Sequence, residues 1–284
     1  RLFTHTLFML NKKFIIILTL SLLYQSTLLS KSTSFDEFNS KNLSRYFSGI
    51  VAFENKDNSK GLSYFNSSKI LINEHDPYLK KFVMSLVLDD KVAQATNFIR
   101  ANIKKNNSNF FEAYILLALD SIKKNNISEA LEILAEVPEF LQKDRLEHII
   151  LNSLKQYVYV FKNKKIPEGN KKFGNLSFIG EAFQRCYLGD NNTGSYFSNL
   201  INNGQTDYSR YVYFYLTYLI ENNKIDEAKV ITDELDYINT TLLLSQGKSW
   251  IESDELTEFS KVFSCNNHND ITGEFLFLIS NLYS

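Results

Sequence analysis

The sequence has only three prolines among its 284 residues, and this scarcity favours helix because proline breaks helix interiors. Ten glycines are too few for a collagen-like or low-complexity chain. Arginine supplies 6 of the 31 basic residues, which disfavours a site built on bidentate phosphate recognition. The net charge of −1 provides no basic field, so no nucleic-acid partner is expected. Hydrophobic residues make up 44% of the chain, which excludes a disordered protein.

Residues that carry chemistry are also scarce. The two cysteines, Cys186 and Cys265, form no CxxC motif, and none of the four histidines belongs to an HxxxH or HxxE arrangement. Gly247–Ser249 resembles the end of a phosphate-binding loop, but Leu242 stands where that loop requires glycine. No other catalytic or nucleotide-binding motif is present. The sequence therefore predicts a protein that is not an enzyme and has no catalytic residue, cofactor or metal.

The N-terminal region has the pattern of an export signal. Lys12 and Lys13 precede the apolar run Phe14–Leu23, which is shorter than the ~20 residues that span a bilayer. Residues 1–33 are therefore predicted to be a secretory signal peptide. An uncleaved anchor in the inner membrane stays open because no Ala-x-Ala site follows. A buried N-terminal helix is less favoured because two lysines precede the run. The expected location is the periplasm, or the inner membrane facing it.

The remainder of the chain repeats itself. Five segments with a helical pattern centre on a small residue, and the usual spacing of these small residues is about 34 residues. The interval between the third and the fourth is about twice as long, which leaves room for one degenerate unit. Two antiparallel helices of about twelve residues and two short turns need about 34 residues, and small residues at the contact let the helices approach closely. The five small residues are Gly61, Ala95, Ala130, Gly194 and Ala228.

These segments resemble tetratricopeptide repeats (TPR), which are helix–turn–helix units of about 34 residues. The resemblance covers residues 44–137 and 177–236, and its best unit is Phe111–Pro138. It implies an all-α, right-handed solenoid over residues 34–284, although other α-solenoids with similar periods stay open. The last repeat looks incomplete, so the array is expected to continue beyond Ser284. In the best unit the matching residues are Tyr114, Leu117, Ala118, Ala130, Leu134 and Pro138, while Arg45, Ser198 and Thr232 depart from the pattern elsewhere.

Residues 139–176 form the degenerate repeat. Arg145–Lys162 is predicted to be one long helix with an apolar face. Asn163–Asn175 is predicted to be an exposed basic loop that replaces a second helix. A solvated linker is the simpler interpretation of this loop, and a contact with an anionic partner is the alternative. Its four lysines are Lys164, Lys165, Lys171 and Lys172.

The resemblance also implies a function. TPR proteins bind a protein or peptide in the concave groove formed by the first helix of each repeat, so we expect a non-catalytic scaffold of the bacterial envelope. One alternative is the accessory region of an enzyme whose catalytic domain follows Ser284. Another is a structural envelope component that contacts lipid or polysaccharide. The implied groove residues are Tyr46, Ile50, Phe53, Lys80, Met84, Ile115, Leu119, Ile122, Tyr213, Thr217 and Ile220.

The solenoid also leads to a prediction about the cysteines. Cys186 and Cys265 are separated in the sequence by more than two repeats of about 34 residues. In a linear array of helices spaced ~8–10 Å apart, two repeats would separate them by upwards of ~20 Å. A disulfide requires Cα atoms within ~7 Å. We therefore expect two free thiols.

Overall fold

The computed structural model describes residues 39–73, 75–103, 109–142, 145–169, 172–202, 209–234 and 241–282. Within these ranges the protein is entirely helical, which confirms the predicted all-α class. The predicted signal or anchor at residues 1–33 lies outside them. In the part that the structure describes, no helix is both long and apolar enough to cross a bilayer. The helices are Ser40–Glu54 (α1), Asn58–Asn66 (α2), Asp76–Leu88 (α3), Val92–Asn102 (α4), Phe111–Lys123 (α5), Ile127–Ala135 (α6), Arg145–Asn163 (α7), Asn175–Leu188 (α8), Thr193–Ile201 (α9), Ser209–Glu221 (α10), Ile225–Asp233 (α11), Leu242–Glu252 (α12), Thr257–Val262 (α13) and His268–Leu282 (α14), with short 3₁₀ helices at Lys69–Asn73 and Glu139–Gln142.

The chain divides into two compact units at the turn between Asp90 and Lys91. Helices α1 to α3 belong to the first unit, and α4 to α14 belong to the second. The predicted long helix is α7. Among the described residues of the predicted basic loop, only its first and last, Asn163 and Asn175, belong to a helix.

One turn recurs after the first helix of successive hairpins. In these turns a residue in the left-handed backbone conformation occurs at positions 56, 90, 125, 189, 223 and 254. These six positions repeat at about 34 residues, with one interval of about twice that length, as the small residues do. Three other residues with positive φ, Lys164, Gly169 and Gly174, lie within that long interval. In five of these turns the next backbone N–H donates to a carbonyl five residues earlier, as Asn126 does to Ser121 at 2.8 Å. This closure satisfies carbonyl groups at the helix end, and Asn, Asp and Gly tolerate the required conformation best.

Most of the repeated small residues are buried. Ala95, Ala130 and Ala228 are fully buried, and Gly61 is buried on α2. Gly194 is half-buried, and a Cβ on it would lie nearest to Tyr218 and Tyr215 of α10. A Cβ atom on Gly61 of α2 would lie 3.5 Å from the carbonyl oxygen of Gly49 on α1. In the hairpin of α1 and α2, small residues thus occur on both helices at their contact, as the sequence predicts.

The first unit is built around an aromatic core. Tyr46 on α1, Phe65 on α2 and Tyr78 on α3 are buried, and their ring centroids lie 5.8 to 6.2 Å apart. The Tyr78 hydroxyl donates to the carbonyl oxygen of Phe65 at 2.5 Å, and burial raises the pKa of that hydroxyl. Each of the three helices therefore contributes an aromatic side chain to one cluster.

The second unit combines sequential packing with one long-range return. Each helix from α4 to α12 packs against the next one in the chain. The last helix, α14, instead packs against α5, α7 and α8. The core of the second unit is therefore shared by helices that are far apart in sequence.

Candidate functional site

The first helices of the hairpins, which the TPR resemblance assigns to a binding groove, carry a bound helix in the second unit. That helix is α14, the last helix that the structure describes. We call the residues that hold it the α14 seat. The α14 seat consists of Ile122 on α5, Tyr157 and Phe161 on α7, Cys186 on α8 and Arg210 on α10.

The buried side of α14 is an apolar stripe. Ile271, Phe275 and Ile279 follow each other at intervals of four residues, and each is at most 8% exposed. The Phe275 ring lies 5.3 Å from that of Tyr157 between centroids. At the start of the helix, His268 Nε2 lies 3.1 Å from the carbonyl oxygen of Ile122. Contacts with the seat therefore begin at the first turn of α14 and continue along the helix.

A charged pair fixes the middle of α14. Arg210 donates from Nε to Glu274 Oε1 at 2.9 Å and from Nη2 to Oε2 at 2.7 Å. The Glu274 side chain is 5% exposed, and hydrogen bonding to it raises the pKa of Arg210. The guanidinium also lies 3.8 Å from the centroid of Phe277. This paired geometry suits a carboxylate, because the planar guanidinium fork matches both of its oxygens.

A disulfide fastens the segment that leads into α14. Cys186 and Cys265 are bonded, with their Cα atoms 5.2 Å apart, and both residues are buried. The prediction of two free thiols is therefore wrong. It assumed that residue 265 lies two hairpins away along a linear array, whereas the chain turns back after α13 and brings Cys265 to α8.

The predicted groove residues of the second unit fall into two groups. On α5, Ile115 and Leu119 are half-buried, while Ile122 is buried and belongs to the α14 seat. On α10, Ile220 is half-buried, whereas Tyr213 and Thr217 are fully buried.

Tyr213 and Thr217 do not line an open surface. The Tyr213 ring stacks on that of Phe259 from α13, with 5.5 Å between centroids. A Cβ on Gly247 of α12 would lie 3.1 Å from the Tyr213 ring, so the absence of a side chain there makes room for it. Burial raises the pKa of Tyr213 to about 12. The side chain of Thr217 donates to the Tyr213 carbonyl at 3.0 Å. Both residues therefore pack within the core of the second unit.

The predicted groove residues of the first unit remain more accessible. Tyr46 is buried in the aromatic core, but Ile50 and Phe53 on α1 and Met84 on α3 are only half-buried, and Lys80 is exposed. The neighbouring Lys81 places Nζ 4.7 Å from the Phe53 ring centroid and 2.9 Å from Glu54 Oε1. Apolar and basic groups thus occur together on α1 and α3.

A separate apolar patch lies on the side of α1 that borders α2. Phe47 and Val51 are 57% and 61% exposed. With Lys60 and Tyr64 they line an open groove of about 590 Å³. Neither exposed side chain belongs to the set that the resemblance implies.

One lysine of the predicted basic loop contacts helix α8. Lys164 Nζ donates to the Tyr187 hydroxyl and lies 4.0 Å from the centroid of that ring. Lys165 and Lys172 are exposed, and Lys171 lies outside the described residues. Among the residues placed by the structure, no group of three histidine, cysteine, aspartate or glutamate side chains is arranged to hold a metal ion.

Sequence reasoning missed most of the α14 seat. The apolar stripe of α14 was visible as a four-residue interval, but an isolated stripe does not identify the surface that it covers. Arg210 and Glu274 are 64 residues apart and belong to no motif. Their pairing follows from the return of α14, which no local pattern encodes.

No family model matches the chain, and neither a curated protein nor a solved structure shows significant similarity to it. The resemblance to TPR units therefore stays a prediction.

Proposed function

We propose that the protein is a non-catalytic scaffold that binds another protein through the first helices of TPR-like hairpins. The observation that carries this proposal is α14 itself. It is a helix held on those first helices by apolar, aromatic and charged side chains from four elements. Amphipathic helices bound in apolar grooves are recognised in this way, through anchors at intervals of three or four residues.

The proposed architecture is a right-handed TPR-type solenoid. It is supported by left-handed turn residues that recur at a spacing of about 34 residues. The buried alanines at 95, 130 and 228 support it as well. A long helix followed by a basic loop replaces one hairpin, at residues 139–176.

The proposed location is the bacterial cell envelope, with the second unit outside the cytoplasm. Two independent features support export. The segment Lys12–Leu23 has the pattern of a signal or anchor, and Cys186 and Cys265 form a disulfide. Disulfides persist in oxidising compartments such as the periplasm and are rare in the cytosol.

While α14 occupies its seat, the surface proposed for a partner is on the first unit. Ile50, Phe53 and Met84 are partly exposed, and Lys80 and Lys81 lie beside them in sequence or in space. A partner with an apolar segment and acidic residues fits this chemistry, because aromatic and apolar side chains anchor interfaces while charges guide association.

Site-specific photocrosslinking in cells that produce the protein tests this proposal. A benzoylphenylalanine replaces Phe53 or Met84, and the control places it at Val230, an exposed apolar residue on α11. Crosslinking of the same protein from both test positions, but not from Val230, is expected. The proposal fails if neither test position gives a product, or if Val230 gives the same ones.

A further inference from the structure

We infer that the α14 seat is a binding site for an amphipathic helix of a partner protein, and that α14 is a resident ligand which occupies it. We infer further that the Cys186–Cys265 disulfide controls access, so that the site opens to the partner when this bond is reduced. This inference rests on the proposed scaffold function and names the ligand chemistry of one of its surfaces.

The packing of α14 resembles that of a bound ligand more than that of a repeat helix. A regular array predicts that α14 packs mainly on α12 and α13, the hairpin before it. Instead it packs on α5, α7 and α8, and its side chains contact residues as distant in sequence as Ile122. Three separate side chains of α14 make the contacts: the aromatic Phe275, the charged Glu274 and, at the start of the helix, His268.

The anchors define the partner's sequence pattern. The partner helix should carry apolar or aromatic residues at intervals of four, as Ile271, Phe275 and Ile279 do. It should carry a carboxylate immediately before the central aromatic residue, in the place of Glu274, to pair with Arg210. Because a helix without this acid would leave the half-buried Arg210 without its paired carboxylate, such helices should bind more weakly.

The disulfide controls whether a partner helix can displace α14 from its seat. A ligand segment tied to its site has a high effective concentration, which an external helix must exceed. With the disulfide formed, α14 is tied through Cys265 to α8, directly beside the seat. With the bond broken, α14 loses this tie to α8 and stays joined to α13 through the connecting chain. Competition by an external helix should then become easier.

Opening requires a reductant of the dithiol class. The dithiol passes two electrons and two protons to the protein, the Cys186–Cys265 bond breaks, and each sulfur leaves as a thiol while the reductant becomes a disulfide. Both cysteines are only 2% exposed, so the segment around Cys265 must move before a thiolate can reach the sulfur. Reduction and release of α14 should therefore occur together.

A fluorescent peptide with the sequence of residues 266–282 tests the inference directly. This peptide lacks Cys265 and cannot form a mixed disulfide. Its affinity is measured by anisotropy against the full chain in oxidised form and against the full-length Cys186→Ser variant. We expect binding at least about tenfold tighter to the variant, with wild-type protein pre-treated with dithiol behaving like the variant.

Charge reversal tests the specificity of the seat. A Glu274→Arg peptide should bind the Cys186→Ser chain at least about tenfold more weakly than the wild-type peptide, because two like charges would meet. Adding Arg210→Glu to the chain should reverse this preference. A merely structural role for the pair would not produce that reversal.

Equal affinity of the wild-type peptide for the oxidised and Cys186→Ser chains overturns the inference. So does a Cys186→Ser chain that keeps its helix content by circular dichroism but binds no peptide. Loss of helix content in that variant would make α14 an obligatory part of the fold and would also overturn it. A second variant, oxidised full-length Glu274→Arg, should bind the peptide more tightly than oxidised wild type. Crosslinking from Phe53 and Met84 does not depend on these outcomes, so the scaffold proposal can survive their failure.

Discussion

The two units of the protein are stabilised in different ways. In the first unit, α1, α2 and α3 are neighbours in the chain, and their aromatic side chains meet within a span that runs from Tyr46 to Tyr78. In the second unit, α14 contacts α5 across a sequence separation of 146 residues, and a disulfide joins two other distant positions. Local contacts can be anticipated from sequence periodicity, whereas closure of the second unit depends on a return that the repeats do not encode.

Removal of the disulfide should give the largest effect and should confine it to the second unit. Cross-linking a loop of this length restricts the unfolded chain, so Cys186→Ser should lower the free energy of unfolding by about 4 kcal/mol. Hydrogen exchange should accelerate in α8 and α14 and stay unchanged in α1 to α3. Wild-type protein under reducing conditions is the control and should match the variant. Faster hydrogen exchange in α1 to α3, or no acceleration in α8 and α14, would contradict the proposed difference between the units.

Overpacking a buried hairpin contact tests whether closure by α14 spreads damage through the second unit. Ala130→Leu on α6 should lower the free energy of unfolding by about 2 kcal/mol, because Ala130 is fully buried and leaves no room for a larger side chain. Ala135→Leu is the matched control, since Ala135 is exposed on the same helix.

In a linear array this damage would stay near residues 92–162. Because α5 also contacts α14, protection against hydrogen exchange should fall in α14 as well. Unchanged exchange in α14 would show that the second unit responds locally, as the first unit should.

The same substitution, glycine to alanine, can be compared between the two units. In the first unit, a Cβ at Gly49 would lie 2.8 Å from Cε1 of the buried Phe65. Gly49→Ala should therefore lower the free energy of unfolding of this unit by about 1 kcal/mol. In the second, a Cβ at Gly273 of α14 meets nothing within 4 Å, so Gly273→Ala should stabilise α14 by up to about 1 kcal/mol. Chemical denaturation with exchange mapping measures both. Effects of the same sign would contradict the packing described above.

The smallest expected effect concerns acid stability of the turn between α8 and α9. The backbone N–H of Asn192 donates to Asp190 Oδ1 at 2.8 Å, and this bond together with Arg185 lowers the pKa of the Asp190 carboxyl. A lowered pKa in the folded state stabilises the protein above the unfolded value of about 4, and that contribution disappears as the pH falls through the folded pKa. Asp190→Asn should therefore lower the free energy of unfolding by less than about 1 kcal/mol at pH 7. The difference from wild type should vanish at strongly acidic pH, and a constant difference at every pH would exclude this cause.

The local features of the fold were predictable. Segments that centre on Ala130 and Ala228 form the second helices of hairpins, and the polar turns between helices contain residues such as Asn125 and Asn223 in left-handed conformations. These features depend on a few neighbouring residues, because small side chains allow close helix contact and asparagine tolerates positive φ. A single sequence contains enough information for both.

The α14 seat was not predictable by the same means. The placement of Cys265 depends on where the chain turns after α13, and a small change in that direction would separate the two cysteines. The groove implied by resemblance also failed to anticipate that α12 and α13 would cover Tyr213. Both features depend on long-range packing, which the spacing of repeats leaves undetermined.

Peptide mapping of the unreduced, unfolded protein tests whether Cys265 is fastened to α8. We expect no free thiol in the monomer and one pair of peptides, containing Cys186 and Cys265, that stay joined until a reductant is added. Two alkylated thiols without prior reduction would contradict it, because residue 265 would then not be fastened to α8 beside the α14 seat.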